Sequence, residues 1–237
     1  RRMEPSALTF GPPIPAGPVT EGVGNPVIAG NGTDHLVVWQ FEKPFDCPVL
    51  CAPPPSQLRA MRMTHDGVAV GSEFELTGDY DGGYLPPSVE WTGSNYLVAW
   101  DNVALRLASD GTLLDSLGGE VIADQVAHAQ PSLAFDGRRV KLLWSETDAE
   151  TAEELLKIIS LDPERPLRDQ RIEGDVGSLA SGLSRWYRQP ASAIEATGPG
   201  RFLMLYSRVP SEREFGGVRR VFLGELVIGG SQRPVRR

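Results

Sequence analysis

The sequence predicts an all-β protein, built as a β-propeller of about four four-stranded blades, because the chain repeats itself. A segment that opens with Pro, has Gly six residues later and closes with Trp thirteen residues later occurs at 26–39, 87–100 and 131–144. A looser copy at 190–206 has three extra residues and closes with Tyr. Two of the copies are followed by a further apolar run that ends in Asp-Gly. Four-stranded units repeated at such spacing are typical of propellers, in which they stack radially.

Each copy divides at its glycine into two predicted strands. Short apolar runs that are interrupted by Gly with Asn, Asp or Ser predict strands joined by a tight turn. Glycine permits the positive φ of such a turn, and the opening proline, which lacks an N–H, suits the first residue of a strand. We therefore expect one β-hairpin per copy and equivalent buried positions for the closing aromatic residues, which are Trp39, Trp100, Trp144 and Tyr206.

A third strand follows each hairpin. Residues 59–67 and 103–111 align without a gap, which places Arg62 and Arg106 at one position, and both segments end in an Asp-Gly hairpin turn. Weaker copies of this strand occupy 157–163 and 221–228. Fourth strands are predicted in the first three units, at 72–77, 119–123 and 168–173.

These units predict one domain over residues 1–237. Its repeats lie near 26–77, 87–123, 131–173 and 190–228. The last unit has no fourth strand, whereas residues 7–14 form a spare one. We expect residues 7–14 to close the last blade beside residues 221–228, because natural sheets avoid long exposed apolar edges. A two-sheet sandwich is the alternative, and the repetition of whole units makes it less favourable.

The repeats resemble the propeller repeats of secreted bacterial proteins, in which a Pro…Gly…Val-Val-Trp hairpin precedes a strand ending in Asp-Gly. Pro26, Gly32 and Trp39 carry this resemblance in the first repeat. It implies a propeller fold and a secreted or cell-surface location. Proteins with such repeats often have more than four blades, so the resemblance also implies possible assembly of this chain with other chains. The resemblance says little about function, since one scaffold hosts many unrelated roles.

Composition excludes several classes of partner. The chain of 237 residues has a net charge of −8, which disfavours nucleic acid and anionic membranes. No run approaches the roughly 18 apolar residues that a membrane-spanning helix needs, so we expect no membrane insertion. The chain opens with Arg1 rather than Met, from which we expect a mature or excised piece.

The longest predicted loops lie at one end of the blades and predict a binding face, because loops on rigid scaffolds carry function. These loops are 40–56, 78–86, 145–154, 174–189 and 209–217. The sequence has no evident nucleophile–base–acid set, phosphate loop or zinc motif. We therefore expect a non-catalytic binding or structural module for a protein or glycan partner. The alternative is a carbohydrate-active enzyme, a hydrolase or lyase, that uses Glu90, Asp79 or Asp81.

Glu90 is a candidate ligand-binding residue because it lies in a predicted innermost strand. The other repeats have alanine at this position, namely Ala29, Ala134 and Ala193. A carboxylate there would line the central channel or bind a ligand. The favoured alternative is an ion pair with Arg62 or Arg106, since buried charges need partners.

Three further groups of residues are candidates for binding or cross-linking. Arg185, Trp186, Tyr187 and Arg188 lie in the longest loop, where they would hold a sugar or protein partner, or else cap the core. Asp79 and Asp81 precede glycines and suit calcium, the one cofactor considered, although a solvated turn is favoured. Cys47 and Cys51 predict a disulfide formed in an oxidising compartment, with half a metal site as the alternative.

Overall fold

A computed structural model describes residues 23–42, 56–79, 86–122, 130–147, 154–170, 192–208 and 220–227. Within these ranges the regular structure is almost entirely β-strand, as predicted, and no helix is long and apolar enough to span a bilayer. The strands are β1 (Val23–Gly30), β2 (Asp34–Glu42), β3 (Ser56–Thr64), β4 (Ala69–Glu75), β5 (Ser88–Trp91), β6 (Asn95–Trp100), β7 (Val103–Ala108), β8 (Glu120–Val121), β9 (Ser132–Phe135), β10 (Val140–Thr147), β11 (Glu154–Leu161), β12 (Ser192–Gly198), β13 (Arg201–Arg208) and β14 (Arg220–Val227).

The strands form four antiparallel sheets, one for each predicted repeat. Sheet A contains β1–β4, sheet B contains β5–β8, sheet C contains β9–β11 and sheet D contains β12–β14. In each sheet the strands are neighbours in the order in which they occur along the chain. The innermost strands lie side by side in the order β1, β5, β9 and β12. This is the arrangement that the repeats predicted, with four strands described in sheets A and B and three in sheets C and D.

The fourth strand predicted at 168–173 is wrong in its described part. Leu167–Asp169 form a short 3-10 helix instead. Gln170 holds this segment back against the preceding turn, because its Nε2 donates to the carbonyl oxygens of Asp162 and Arg165. Pro166 has no N–H to contribute to a ladder. The chain therefore turns before it reaches the edge of sheet C.

The glycine of each of the first three hairpins has the backbone conformation that the repeat predicted. Gly32, Gly93 and Gly137 have φ values of 90°, 89° and 91°. An added Cβ would meet no atom closer than 4.0 Å at these positions. The requirement for glycine is therefore conformational, since the left-handed region is costly for a residue with a side chain.

Apolar side chains fill the three junctions between neighbouring sheets. Val38 and Trp100 belong to the core between sheets A and B, Leu97 and Trp144 to the core between B and C, and Leu143 and Phe202 to the core between C and D. Trp39, Trp100 and Trp144 are all buried, which confirms their predicted equivalence. The side chain of Tyr206 and the strand predicted at 7–14 lie outside the described part of the chain.

Sheet D presents an apolar face that the other sheets keep buried. Val38, Ala99, Leu143 and Leu205 each immediately precede the closing aromatic residue of their repeat. The first three are 0% exposed, whereas Leu205 is 44% exposed. The same face carries Leu203 and Leu223, which are also exposed. The outward face of sheet D thus retains the apolar pattern of a surface that packs against a neighbouring sheet.

Candidate active site

Two glutamates occupy the same position on two of the four innermost strands. Strand pairing fixes this position, because Glu90 lies opposite Leu97 in sheet B and Glu195 lies opposite Leu203 in sheet D. The corresponding residues of sheets A and C are Ala29, opposite Leu36, and Ala134, opposite Lys141. The structure therefore places acidic side chains on β5 and β12, with β9 between them.

The sequence alignment missed Glu195. It matched Glu90 with Ala193, but Ala193 pairs with Leu205 and lies two residues too early. The hairpin of sheet D is longer, and a register shift between Ala196 and Gly198 absorbs part of the extra chain. Counting from the opening proline therefore fails in this repeat. Counting back from the aromatic residue that closes the hairpin also fails, because it gives Ala196, one residue after Glu195.

The two glutamates differ in environment. Glu90 is half-buried, and burial raises its pKa from 4.5 to about 7, with the charge of Glu195 as a second, smaller cause. Glu195 is exposed to solvent. Desolvation and a neighbouring like charge both favour the neutral form of a carboxyl group. Near neutral pH, the site therefore combines a carboxyl group that is still partly protonated with a second carboxyl group that is exposed to solvent.

Glu90 does not pair with Arg62 or Arg106, so the favoured sequence interpretation is wrong. The Nε and NH2 groups of Arg106 donate to the two carboxylate oxygens of Asp115, at 2.9 and 3.0 Å. Its NH1 donates to the carbonyl oxygen of Pro163 at 3.1 Å, in the turn that follows β11 of sheet C. This bidentate pair is buried and fully hydrogen-bonded, which a buried arginine requires.

Arg62 performs the corresponding task at the junction of sheets A and B. Its NH2 forms an ion pair with Asp34, and its NH1 donates to the carbonyl oxygen of Asp110 at 3.3 Å. Both arginines therefore link one sheet to the turn that follows the third strand of the next sheet. Among the described residues, no cation forms an ion pair with Glu90.

The structure tests few of the other candidate residues. Asp79 is exposed and accepts a hydrogen bond from Gln57 Nε2 at 2.9 Å. The described residues contain no cluster of three metal-ligating side chains. Asp81, Cys47, Cys51 and residues 185–188 lie outside them, so calcium binding, the disulfide and the aromatic binding loop stay predictions.

Comparison with known proteins gives matches in structure only. No family model and no curated protein matches this sequence. The α-L-arabinofuranosidase PaAbf62A from Podospora anserina, solved in complex with cellotriose, superposes with a TM-score of 0.51 at 14% identity, over 91% of this chain and 68% of that chain. The catalytic domain of the Coprinopsis cinerea GH62 α-L-arabinofuranosidase gives a TM-score of 0.50 at 14% identity, over 91% and 68% of the two chains.

The fold is that of a β-propeller. Both similar structures are five-bladed propellers, so the likeness supports the fold class, whereas the closed four-bladed ring is not established. Both are also glycoside hydrolases. This finding overturns the expectation of a non-catalytic binding module and favours the carbohydrate-active alternative. The identity is too low for the likeness to carry an activity to this chain.

Proposed function

We propose that the protein is a glycoside hydrolase in which Glu90 and Glu195 form the acid and base of the active site. The observation that carries this proposal is their shared position on the innermost strands β5 and β12, in two different electrostatic environments. Glycoside hydrolysis generally requires one carboxylic acid and one carboxylate beside the scissile bond. The glycoside hydrolases that share the fold support the proposal.

Glu90 is the general acid of this mechanism. Its raised pKa keeps a proton available near neutral pH, where an ordinary glutamate would have lost it. It donates that proton to the glycosidic oxygen as the bond to the anomeric carbon breaks. The departing alcohol therefore leaves neutral rather than as an alkoxide, and such proton transfer contributes about 10²–10⁴-fold to the rate.

Glu195 is the second carboxyl group of this mechanism. Its exposed carboxylate stabilises the positive charge that develops on the sugar and accepts a proton from the attacking water, or attacks the anomeric carbon itself. The anomeric configuration of the first product distinguishes these two routes. Both similar structures are α-L-arabinofuranosidases, so α-L-arabinofuranosides are the first substrates to test.

A substrate panel tests the proposal directly. Aryl glycosides of arabinofuranose, xylose, glucose, galactose and mannose, together with arabinoxylan and arabinan, are incubated with the protein, and reducing ends are measured. A parallel absorbance assay for unsaturated products detects a lyase. The matched controls are the double variant Glu90→Gln/Glu195→Gln and the variant Glu225→Gln, which changes an exposed glutamate elsewhere on sheet D.

We expect hydrolysis of at least one substrate by the wild-type protein and by Glu225→Gln, and its loss in the double variant. Circular dichroism confirms that all three proteins are folded. Absence of turnover on the whole panel, or hydrolysis that survives the double substitution, would show that these glutamates are not an active site.

A further inference from the structure

A second cleft lies between sheets A and B, at the ends where the hairpin turns are. It has a volume of about 420 Å³, and its lining includes Thr33, Asp34, Arg62, Trp91, Ser109 and Asp110. Trp91 and Glu90 are consecutive residues of β5, so their side chains leave opposite faces of the sheet. Trp91 packs against the core between sheets A and B. The cleft is therefore separate from the proposed active site.

Hydrogen bonds bridge the corresponding space between sheets B and C. There, Ser94 donates to the carboxylate of Glu164, and Asn95 Nδ2 donates to the carbonyl oxygen of Pro163 at 3.0 Å. Arg106, which also donates to that oxygen, is only 6% exposed. These contacts join the hairpin turn of sheet B to a turn of sheet C and leave little room between them.

Between sheets A and B, the equivalent contact is absent within the described part of the chain. Thr33 corresponds to Ser94, seven residues after the opening proline, but no described side chain hydrogen-bonds to its hydroxyl group. The facing turn of sheet B has Gly111, whose added Cβ would lie 3.2 Å from Phe74 and 3.3 Å from Arg62. A small residue there keeps the turn close to Arg62 and leaves the cleft open.

The lining of the cleft combines hydrogen-bond donors and acceptors with one aromatic ring. Hydroxyl groups come from Thr33, Ser94 and Ser109. The guanidinium group of Arg62 is fixed between Asp34 and the carbonyl oxygen of Asp110, and its buried Nε has no partner among the described residues. Such donors and acceptors match vicinal hydroxyl groups, each of which both donates and accepts.

Trp91 supplies the apolar surface of the cleft. Its ring is half-buried and is fixed against Tyr96, with ring centroids 4.7 Å apart and an interplanar angle of 57°. A fixed indole ring beside a few polar groups is the composition of a small-molecule site, in which the polar groups set orientation. Sugar rings fit this composition because they carry C–H groups on one face and hydroxyl groups at the rim.

We propose that this cleft is a binding site for an uncharged saccharide. The charge of the cleft lining favours an uncharged saccharide over an acidic one. The lining contains two carboxylates, of Asp34 and Asp110, and one guanidinium, of Arg62. Hydrogen bonds from Thr112 lower the pKa of Asp110, which therefore stays ionised. The excess negative charge repels acidic sugars such as uronates. This site goes beyond the proposed hydrolase activity and does not depend on it.

Binding to the protein carrying Glu90→Gln/Glu195→Gln tests the proposal without turnover. The probes are tetrasaccharides of arabinose, xylose, glucose (β-1,4-linked) and mannose, with tetragalacturonate as the acidic comparison, measured by calorimetry and ligand-observed NMR. Two added substitutions, Ser109→Arg and Thr33→Arg, each place a long cation in the cleft from an exposed position. Ser72→Arg, on the exposed surface of β4, is the matched control.

We expect at least one neutral tetrasaccharide to bind, with affinity weakened about tenfold or more by either cleft substitution, which is about 1.4 kcal/mol, and unchanged by Ser72→Arg. Unchanged melting temperatures show that the variants are folded. The proposal is overturned if no neutral probe binds at concentrations on the order of 10 mM, if Ser109→Arg and Thr33→Arg leave affinity unchanged, or if tetragalacturonate binds best. Because this experiment measures binding and not turnover, its result does not depend on whether the hydrolase proposal is correct.

Discussion

Glu90 and Glu195 lie at one register position of two different sheets, each opposite a leucine of the neighbouring strand. In the sheets between and before them the same position is alanine, so the pair is a departure from the repeat rather than part of it. Burial of the Glu90 carboxyl group, where the fold requires only a small residue, adds a desolvation cost to the folded state. The first predictions below follow from the role proposed for this pair.

Glu90→Gln should lower hydrolysis of unactivated glycosides by about 10²–10⁴-fold, because glutamine cannot donate the proton that the leaving oxygen needs. Substrates whose leaving group is already acidic, such as dinitrophenyl glycosides, need little protonation and should lose much less activity. The measurement is kcat/KM for a series of aryl glycosides, plotted against the pKa of the departing phenol. Equal loss across the series would show that Glu90 is not the acid.

Glu195→Gln should lower the pKa of Glu90, because the negative charge of Glu195 contributes to raising it. The value should stay above 4.5, since burial is the larger cause. Carboxyl-carbon NMR of Glu90 follows this titration whether or not the variant is active. Glu225→Gln, at an exposed site on the same sheet, is the control and should leave the pKa of Glu90 unchanged. An unshifted Glu90 in the Glu195 variant would mean that the two groups do not interact.

Folding stability should depend on pH through Glu90. A carboxyl group whose pKa is higher in the folded state binds its proton more tightly there, so protonation favours folding. This contribution is complete below pH 4.5 and is lost as the pH rises through about 7. As the pH rises through this range, the wild type should therefore lose free energy of unfolding relative to Glu90→Gln. Urea titrations of both proteins at several pH values measure this difference. A constant difference would exclude the raised pKa.

Trp100→Ala should destabilise the protein by about 3–5 kcal/mol, the usual loss for a buried aromatic side chain. Trp100 is 4% exposed and packs in the core between sheets A and B. Chemical denaturation of the purified variant measures the loss. A near-neutral effect would place this residue at the surface and contradict the assignment of the closing aromatic residues to the core.

The sequence predicted the sheets well because they depend on local signals. Apolar runs, turn glycines and repetition define each hairpin, and Gly32, Gly93 and Gly137 have the predicted positive φ. The partners of charged residues were less predictable, because they depend on contacts between sheets. Arg106 pairs with Asp115, which belongs to no repeated motif, and donates across to Pro163. Neither contact has a signal at a fixed spacing in the sequence.

The sequence predicted one of the two glutamates of the candidate site. Glu90 stood out because its repeat has no insertion before the turn, so counting from Pro87 gave the right position. Glu195 lies on the first strand of a longer hairpin with a register shift, and only the pairing of β12 with β13 reveals its equivalence to Glu90. The closing strand at residues 7–14 stays a prediction, because these residues lie outside the described part of the chain.

Leu143 and Leu205 offer a matched test of the exposed face of sheet D. They are the same residue type at the same position of adjacent sheets, opposite Ser132 and Ala193 of the innermost strands. Leu143 is 0% exposed in the core between sheets C and D, whereas Leu205 is 44% exposed. Leu143→Ala should therefore cost about 2–5 kcal/mol, and Leu205→Ala about 0.5 kcal/mol or less, as for most surface substitutions. Urea denaturation of the two variants at low protein concentration measures both values. An equal loss at Leu205 would show that another surface covers this face in solution.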